Sequence, residues 1–191
     1  EGLYEIHHDE ILDLRHQGTK VTLCLNHEST SFYTEKRIEE ILEEHYYPLL
    51  DRKLLEIYSG KVPLLEDERQ ALKRYYPLYP EGVKFFINGK EVIKRSLQDT
   101  IENMKQVSIN IYKKPKAQGF FGLAKDEIAE SLQGIAVCTY GKAIERTWFK
   151  KEPRHKEKII GWIEAPYLIE AVTTDKCRFQ RGNKKWEGFF R

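Results

Sequence analysis

Two short apolar runs near the C-terminus, Ile135 to Tyr140 and Ile159 to Glu164, constrain the fold most. Each is too short for an ordinary helix and is bounded by polar or turn-forming residues, so each reads as a buried strand. The residues around them supply further strands and helical turns. Val83 to Ile87, Asn88-Gly89 and Glu91 to Ile93 form a hairpin pattern, since Asn-Gly favours the tight type I′ turn. Val107 to Tyr112 is a further strand, Asp126 to Leu132 one or two helical turns, and Tyr167 to Val172 a helical segment. A polar loop through Thr173, Thr174, Asp175 and Lys176 follows, and the tail from Arg181 to Arg191 is basic and aromatic.

The N-terminal part has a different pattern. Residues 3–14 and 19–25 read as two short strands, the second alternating Val21, Leu23 and Leu25 against Lys20, Thr22 and Cys24. Thr34 opens a helical pattern with Ile38, Ile41, Leu42, Tyr46, Leu49 and Leu50 at three- and four-residue intervals. Pro48 predicts a break or kink within it. Asp51 to Tyr58, ending at Gly60, and Glu66 to Tyr76 are further helical stretches, and Tyr75 to Pro80 is rich in turn residues. A boundary therefore falls near residue 80. The expected organisation is a strand pair in residues 1–27, connecting helices in 28–80, and an α+β domain with a mixed or antiparallel sheet in 81–191.

Composition bears on where such a chain works. With 11 Tyr, 9 Phe and 3 Trp there is apolar area for a core, and the net charge of +2 gives no general drive towards nucleic acid or anionic membrane. Cys24, Cys138 and Cys177 are odd in number and far apart, which fits neither a disulfide framework nor a zinc site. No run of about 18 apolar residues is present. The expectation is a soluble protein in a reducing, cytoplasmic compartment. The first residue is Glu1, so a piece of a longer or processed polypeptide is expected.

Several motifs invite chemistry and lose it on inspection. His7-His8-Asp9-Glu10 has metal-binding residue types, but adjacent strand residues point to opposite faces. Gly119 to Lys125 (GFFGLAK) lacks the spacing and terminal Ser/Thr of a phosphate loop and reads as a turn with buried aromatics. Basic clusters at Lys113-Lys114-Pro115-Lys116, Lys150-Lys151, Arg154-His155-Lys156 and Lys184-Lys185, with Trp148, Phe149 and Trp186 interleaved, have the residue types for a nucleic-acid backbone. Solvated loops are the preferred reading of them.

A further set of motifs occurs in a fixed order. Gln17-Gly18-Thr19-Lys20-Val21-Thr22-Leu23 resembles the last motif of the GHKL ATPases, the superfamily of gyrase, the ninety-kilodalton heat-shock chaperones, MutL-type repair proteins and MORC proteins. Lys36 to Leu42 is similar to the helix that follows it in the heat-shock chaperones. Gly134 to Ile144 looks like the "strand, Tyr/Asn-Gly, basic, Ile" hairpin of the GHKL transducer domain, a ribosomal-protein-like βαβ fold, and Ile160 to Pro166 like its next strand. Thr174-Asp175-Lys176-Cys177-Arg178-Phe179 resembles the loop carrying the transducer's nucleotide-sensing lysine, with Asp175 where relatives usually place Asn.

The resemblance implies that Lys176 contacts the γ-phosphate of ATP, with Arg178 and Arg181 as its substitutes in a shifted register, and that Gly18 and Thr19 border the adenine site. It implies ATP and Mg²⁺ bound by an N-terminal ATPase module of the same polypeptide, and a homodimer when ATP binds. The helix with the catalytic Glu and metal-binding Asn, the Asp-x-Gly motif and the glycine-rich lid are not found here, so the chain is read as starting after them. A nucleic-acid-binding module built on the basic-aromatic loops is the second reading. A client-binding platform using the aromatics of residues 75–86 is the third.

Overall fold

The computed structural model describes residues 34–50, 84–92, 101–111, 113–151 and 153–191. The chain divides into two compact units, Glu1–Ile38 and Glu39–Arg191. Of the first, only residues 34–38 are described. The strands expected in 3–14 and 19–25, the His7-His8 cluster, Gly18 and Thr19 and the helical stretches of 51–76 lie outside the described residues.

Helix α1 is Glu35–Leu50. Thr34 caps its start, its Oγ1 accepting the Arg37 amide at 3.2 Å, which satisfies one of the open N–H groups of the first turn. The helix continues past Pro48. The proline removes the one helical hydrogen bond that residue 48 would donate. Among the described side chains of α1 Tyr47 is buried, while Ile41, expected on the apolar face, is exposed. Tyr47 is drawn in by the Trp162 ring, 5.3 Å away between centroids.

A two-stranded hairpin follows, β1 (Phe86–Ile87) and β2 (Lys90–Glu91). Its turn residues Asn88 and Gly89 sit at φ 49° and 78°, the left-handed pair that a type I′ turn requires.

The main sheet has five strands: β3 (Ile101–Ile111), β4 (Lys114–Ala124), β5 (Gly134–Thr139), β6 (Lys142–Thr147) and β7 (Ile159–Glu164). Their order is β3-β4-β7-β5-β6, with β5 and β7 parallel and all other neighbours antiparallel. The fold is therefore α+β with a mixed sheet. The two apolar runs are its central strands, and both faces are covered. On one face Tyr47, Phe120, Ala136, Cys138, Ala143, Ile160 and Trp162 cluster. On the other, Val137, Ile144, Ile163, Leu168, Phe179, Trp186 and Phe189 do. Strands buried on both faces lose the polar alternation of a half-buried strand, which is why these runs are nearly continuous in apolar residues.

The segment expected to turn at Gly119 to Lys125 is instead the second half of β4. Its glycines are packing devices. A Cβ on Gly119 would lie 1.9 Å from the Trp162 carbonyl oxygen of the neighbouring strand. Strand β3 likewise begins at Ile101, six residues before the expected Val107. A bulge between β5 and β6 matters more. Val137 pairs with Glu145 and Cys138 with Ala143, leaving Ile144 as an extra residue. The extra residue breaks the alternation, so Ile144 and Glu145 both turn to the Phe179 face and Arg146 to the Trp162 face.

Tight helical turns occupy Glu130–Leu132, Lys156–Lys158 and Pro166–Ala171. The tail is a helix, α2 (Lys184–Phe190), capped by Asn183, whose side chain accepts the Lys185 amide at 2.9 Å. Among the described residues no helix is long and apolar enough to cross a membrane.

Because the Gly119 contact is with backbone inside a paired strand, neither partner can move aside cheaply. Gly119→Ala is expected to lower the unfolding free energy by about 3 kcal/mol, read from the denaturant midpoint at unchanged slope.

Candidate functional site

The loop from Thr173 to Arg178 leaves the sheet after the helical turn Pro166–Ala171 and returns at Phe179. Its base is closed by an antiparallel bridge between Val172 and Phe179 and by Gln180, whose amide donates to Ala171 O at 2.7 Å. Inside it, the Thr173 amide donates to Arg178 O at 2.9 Å and the Lys176 amide to Thr173 O at 2.9 Å. The Thr173 hydroxyl lies 2.5 Å from Asp175 Oδ1 and 2.8 Å from Arg178 O, two acceptors for one proton. Asp175 Oδ1 also accepts the Cys177 amide at 3.2 Å, an Asx turn.

These bonds hold Lys176 at φ 56°, a left-handed conformation uncommon for a side chain of this size. Lys176 is exposed, and its ammonium has no partner among the described residues. Arg178, two residues on, is exposed as well, with its carbonyl engaged in the loop. Arg181 does not stand as a neighbouring free cation. It pairs with Glu145 at 2.7 Å and lies over the Trp186 ring at 5.4 Å.

The loop is fixed to the sheet where it returns. Phe179 is fully buried and stacks on Trp186 with ring centroids 4.3 Å apart. Its amide donates to Glu145 Oε2 at 3.2 Å, and Glu145 Oε1 takes the Arg181 guanidinium. Strand β6, which carries Glu145, is oriented in turn by a second carboxylate. Glu164, buried at the end of β7, accepts the amides of Tyr140 at 2.5 Å and Gly141 at 3.0 Å. Tyr140 and Gly141 form the β5–β6 turn at φ 53° and 78°. A turn with two left-handed residues aims both N–H groups the same way, and the carboxylate fills that concavity.

On the opposite face Arg146 is nearly enclosed. Nη1 donates to Leu132 O at 2.7 Å and the guanidinium lies over Trp162 at 5.0 Å. Nε and Nη2 are buried with no hydrogen-bond partner among the described residues. Burial brings its pKa down to about 10, against the opposing influence of Cys138 and Glu44. Burial likewise pushes the Cys138 thiol well up, helped by the Glu164 carboxylate. Cys138 is thus a packing residue rather than a nucleophile.

Of the basic and aromatic residues, Lys150 lies over the Phe190 ring at 5.5 Å. Trp186 is buried under the loop, Phe149 packs on Phe189 and Phe190, and Lys185 pairs with Glu170 at 2.5 Å. Lys114 and Lys116 lie in β4. Of the aromatics of residues 75–86, Phe85 packs on Tyr46 and Phe86 is 60% exposed, while 75–83 lie outside the described residues. No group of three or more His, Cys, Asp or Glu among the described residues is placed to hold a metal ion.

The loop's own groups fit one contact to an anionic oxygen: two exposed cations on a loop that engages the amides of Thr173, Lys176 and Cys177 internally. Gly18 and Thr19 lie outside the described residues. Neither Glu145 nor Glu164 is among the site residues expected from the sequence. Glu164 left a trace, a lone carboxylate closing a buried run, whereas Glu145 has meaning only once the bulge is known. The chain matches no protein-family model and none of the curated proteins compared with it.

Removing the Glu164 carboxylate leaves two amides unsatisfied at a closed turn. Glu164→Ala is expected to cost about 2–3 kcal/mol and Glu164→Gln less, as measured by denaturant unfolding. Asp175 is held below its ordinary value by the Thr173 hydroxyl first and the Cys177 amide second. A lowered folded-state pKa means that its contribution to the loop is fully present above about pH 4 and fades below that, as the carboxyl protonates. The Cys177 amide resonance should shift over that acid range in wild type and not in Asp175→Asn.

Proposed function

We propose that this chain is the transducer segment of a GHKL-type ATPase and that Lys176 is the residue through which it senses the γ-phosphate. The observation that carries this reading is the Lys176 loop: an exposed ammonium at a left-handed position, on a loop pinned at both ends, with no internal partner among the described residues. Lys113 and Lys150 share the left-handed conformation, so the support lies in the fixed loop that presents an exposed lysine. The order of elements leading to it supports the same reading. A hairpin with a Tyr-Gly turn, a buried parallel strand and a helical turn precede the loop, as in the transducers that the motifs resemble.

The departure at Asp175 has a physical account that favours the assignment. What the position supplies is an oxygen that accepts the amide two residues on, and Asp or Asn can both provide it. In this reading ATP and Mg²⁺ are held by an N-terminal module, and nucleotide supplies the charge to be sensed. The part played by this chain is positional. Lys176 places a fixed positive charge where negative charge accumulates on the transferred phosphoryl group, without reorganising at that moment. Arg178 adds a second exposed cation to the same rim. Domain closure and ATP-dependent pairing of two copies, in a cytoplasmic setting, belong to the same proposal.

The test is turnover by the full-length protein. Lys176→Ala should lower kcat by about 10²–10³-fold, as for loss of one charge-stabilising donor, with nucleotide affinity changed by less than about threefold. Calorimetry with a non-hydrolysable ATP analogue should show binding by the full-length protein and none by the 191-residue chain alone. Unchanged turnover in the variant would end this assignment, and tight binding by the chain alone would place the nucleotide site within it.

A further inference from the structure

We infer that Glu145 is a positioning residue for the Lys176 loop, joining that loop to the sheet so that the two move as one body. The inference rests on the reading of Lys176 given above, but it begins from a separate observation, the bulge in β6. In a regular strand Glu145 would share the Trp162 face with Ala143, and Arg146 would face Phe179. The extra residue, Ile144, reverses both. The acidic side chain is thereby delivered to the one face where the returning loop needs an acceptor. The basic one is sent to the aromatic surface of Trp162.

Glu145 spends both oxygens there. Oε2 takes the Phe179 amide at 3.2 Å and Oε1 the Arg181 guanidinium at 2.7 Å. Phe179 and Arg181 lie 34 and 36 residues further along the chain, so these bonds fix tertiary placement rather than local shape. Glu145's side chain is 14% exposed and Arg181's 64%. The Phe179 bond is therefore the sheltered one, and the ion pair is the more hydrated one, with correspondingly less weight. The loop's other ties, Thr173 to Asp175 and to Arg178, lie within the loop and hold its shape. The bridge at Val172 and Phe179 closes its base on itself. Among the described residues Glu145 is the side-chain tie that reaches from the loop's closing end to the hairpin.

The proposal separates shape from placement. Without Glu145 the loop keeps its left-handed Lys176 but drifts with respect to β6, and the ammonium loses its register against a phosphate brought by another module. A shift of this kind lowers the rate of the chemical step more than it weakens nucleotide binding, because orientation counts most in the transition state.

Amide hydrogen exchange on the 191-residue chain gives the first measurement. Glu145→Ala should speed exchange at Phe179 by about 10- to 100-fold, the loss of one sheltered hydrogen bond to a charged acceptor. Glu145→Gln, which keeps an acceptor oxygen and guards against a variant that fails to fold, should retain most of the protection. The Trp162 amide in β7 should be unchanged in both. The second measurement is turnover by the full-length protein. Glu145→Ala should lower kcat by about tenfold with KM within about twofold, and the double variant with Lys176→Ala should be no slower than Lys176→Ala alone. Unchanged Phe179 exchange, equal acceleration at Trp162, or additive losses in the double variant would each overturn the proposal. If Lys176→Ala leaves turnover intact, the sensing role of Lys176 fails, and Phe179 exchange alone then decides whether Glu145 holds the loop.

Discussion

A single buried carboxylate, Glu164, sets the geometry on which the C-terminal half depends. Burying a charge is costly unless its oxygens are satisfied, and here the amides of Tyr140 and Gly141 do so. The bond runs both ways. It compensates the charge and holds the β5–β6 turn with two residues on the left-handed side. The direction of β6 follows from that turn, and the place of Glu145 follows from β6. Glu145 in turn receives Phe179, on which the Lys176 loop closes. Two acidic residues, on β7 and on β6 with β5 between them, thus form a relay of backbone contacts from the end of β7 to an exposed lysine.

The sheet is loaded differently on its two faces. One is sealed by aliphatic and aromatic stacking around Phe179, Trp186 and Phe189. The other carries a buried guanidinium, Arg146, against Trp162, with Tyr47 on the same ring. A desolvated cation over an indole recovers roughly 2 kcal/mol, and the Leu132 carbonyl takes one N–H. This polar inclusion gives the face around α1 a different character from the dry stack beneath the loop.

How much of this was readable beforehand depends on the kind of signal. The central strands were legible because burial on both faces leaves a continuous apolar run, and both hairpin turns carry a glycine after Asn88 or Tyr140. The strand β4 was not, because Gly119 and Gly122 read as turn residues. Their role, letting backbones approach closely, exists only in the presence of β7 and β3. The tail helix was missed for a related reason: seven residues rich in Lys and Phe give too short a period to recognise without the Phe179 surface that buries Trp186 and Phe189. At the site, Lys176, Arg178 and the polar loop were visible as residue types in order. Arg181 was grouped with them as a cation, and its true partner could not be guessed, since the bulge at Ile144 that turns Glu145 towards it leaves no mark in the sequence.

The strand order has a consequence for how the chain is made. Strand β7 is the last of the sheet to be synthesised, yet it lies in the middle, between β4 and β5. The hairpins β3–β4 and β5–β6 can each form as they leave the ribosome, but they have no common edge until residues 159–164 arrive. Until then each presents an open strand edge, the kind of surface that pairs with other chains. Assembly of the sheet is thus withheld until β7 has been made. The loop that bears Lys176, which follows β7 directly, comes into place at the moment the sheet closes.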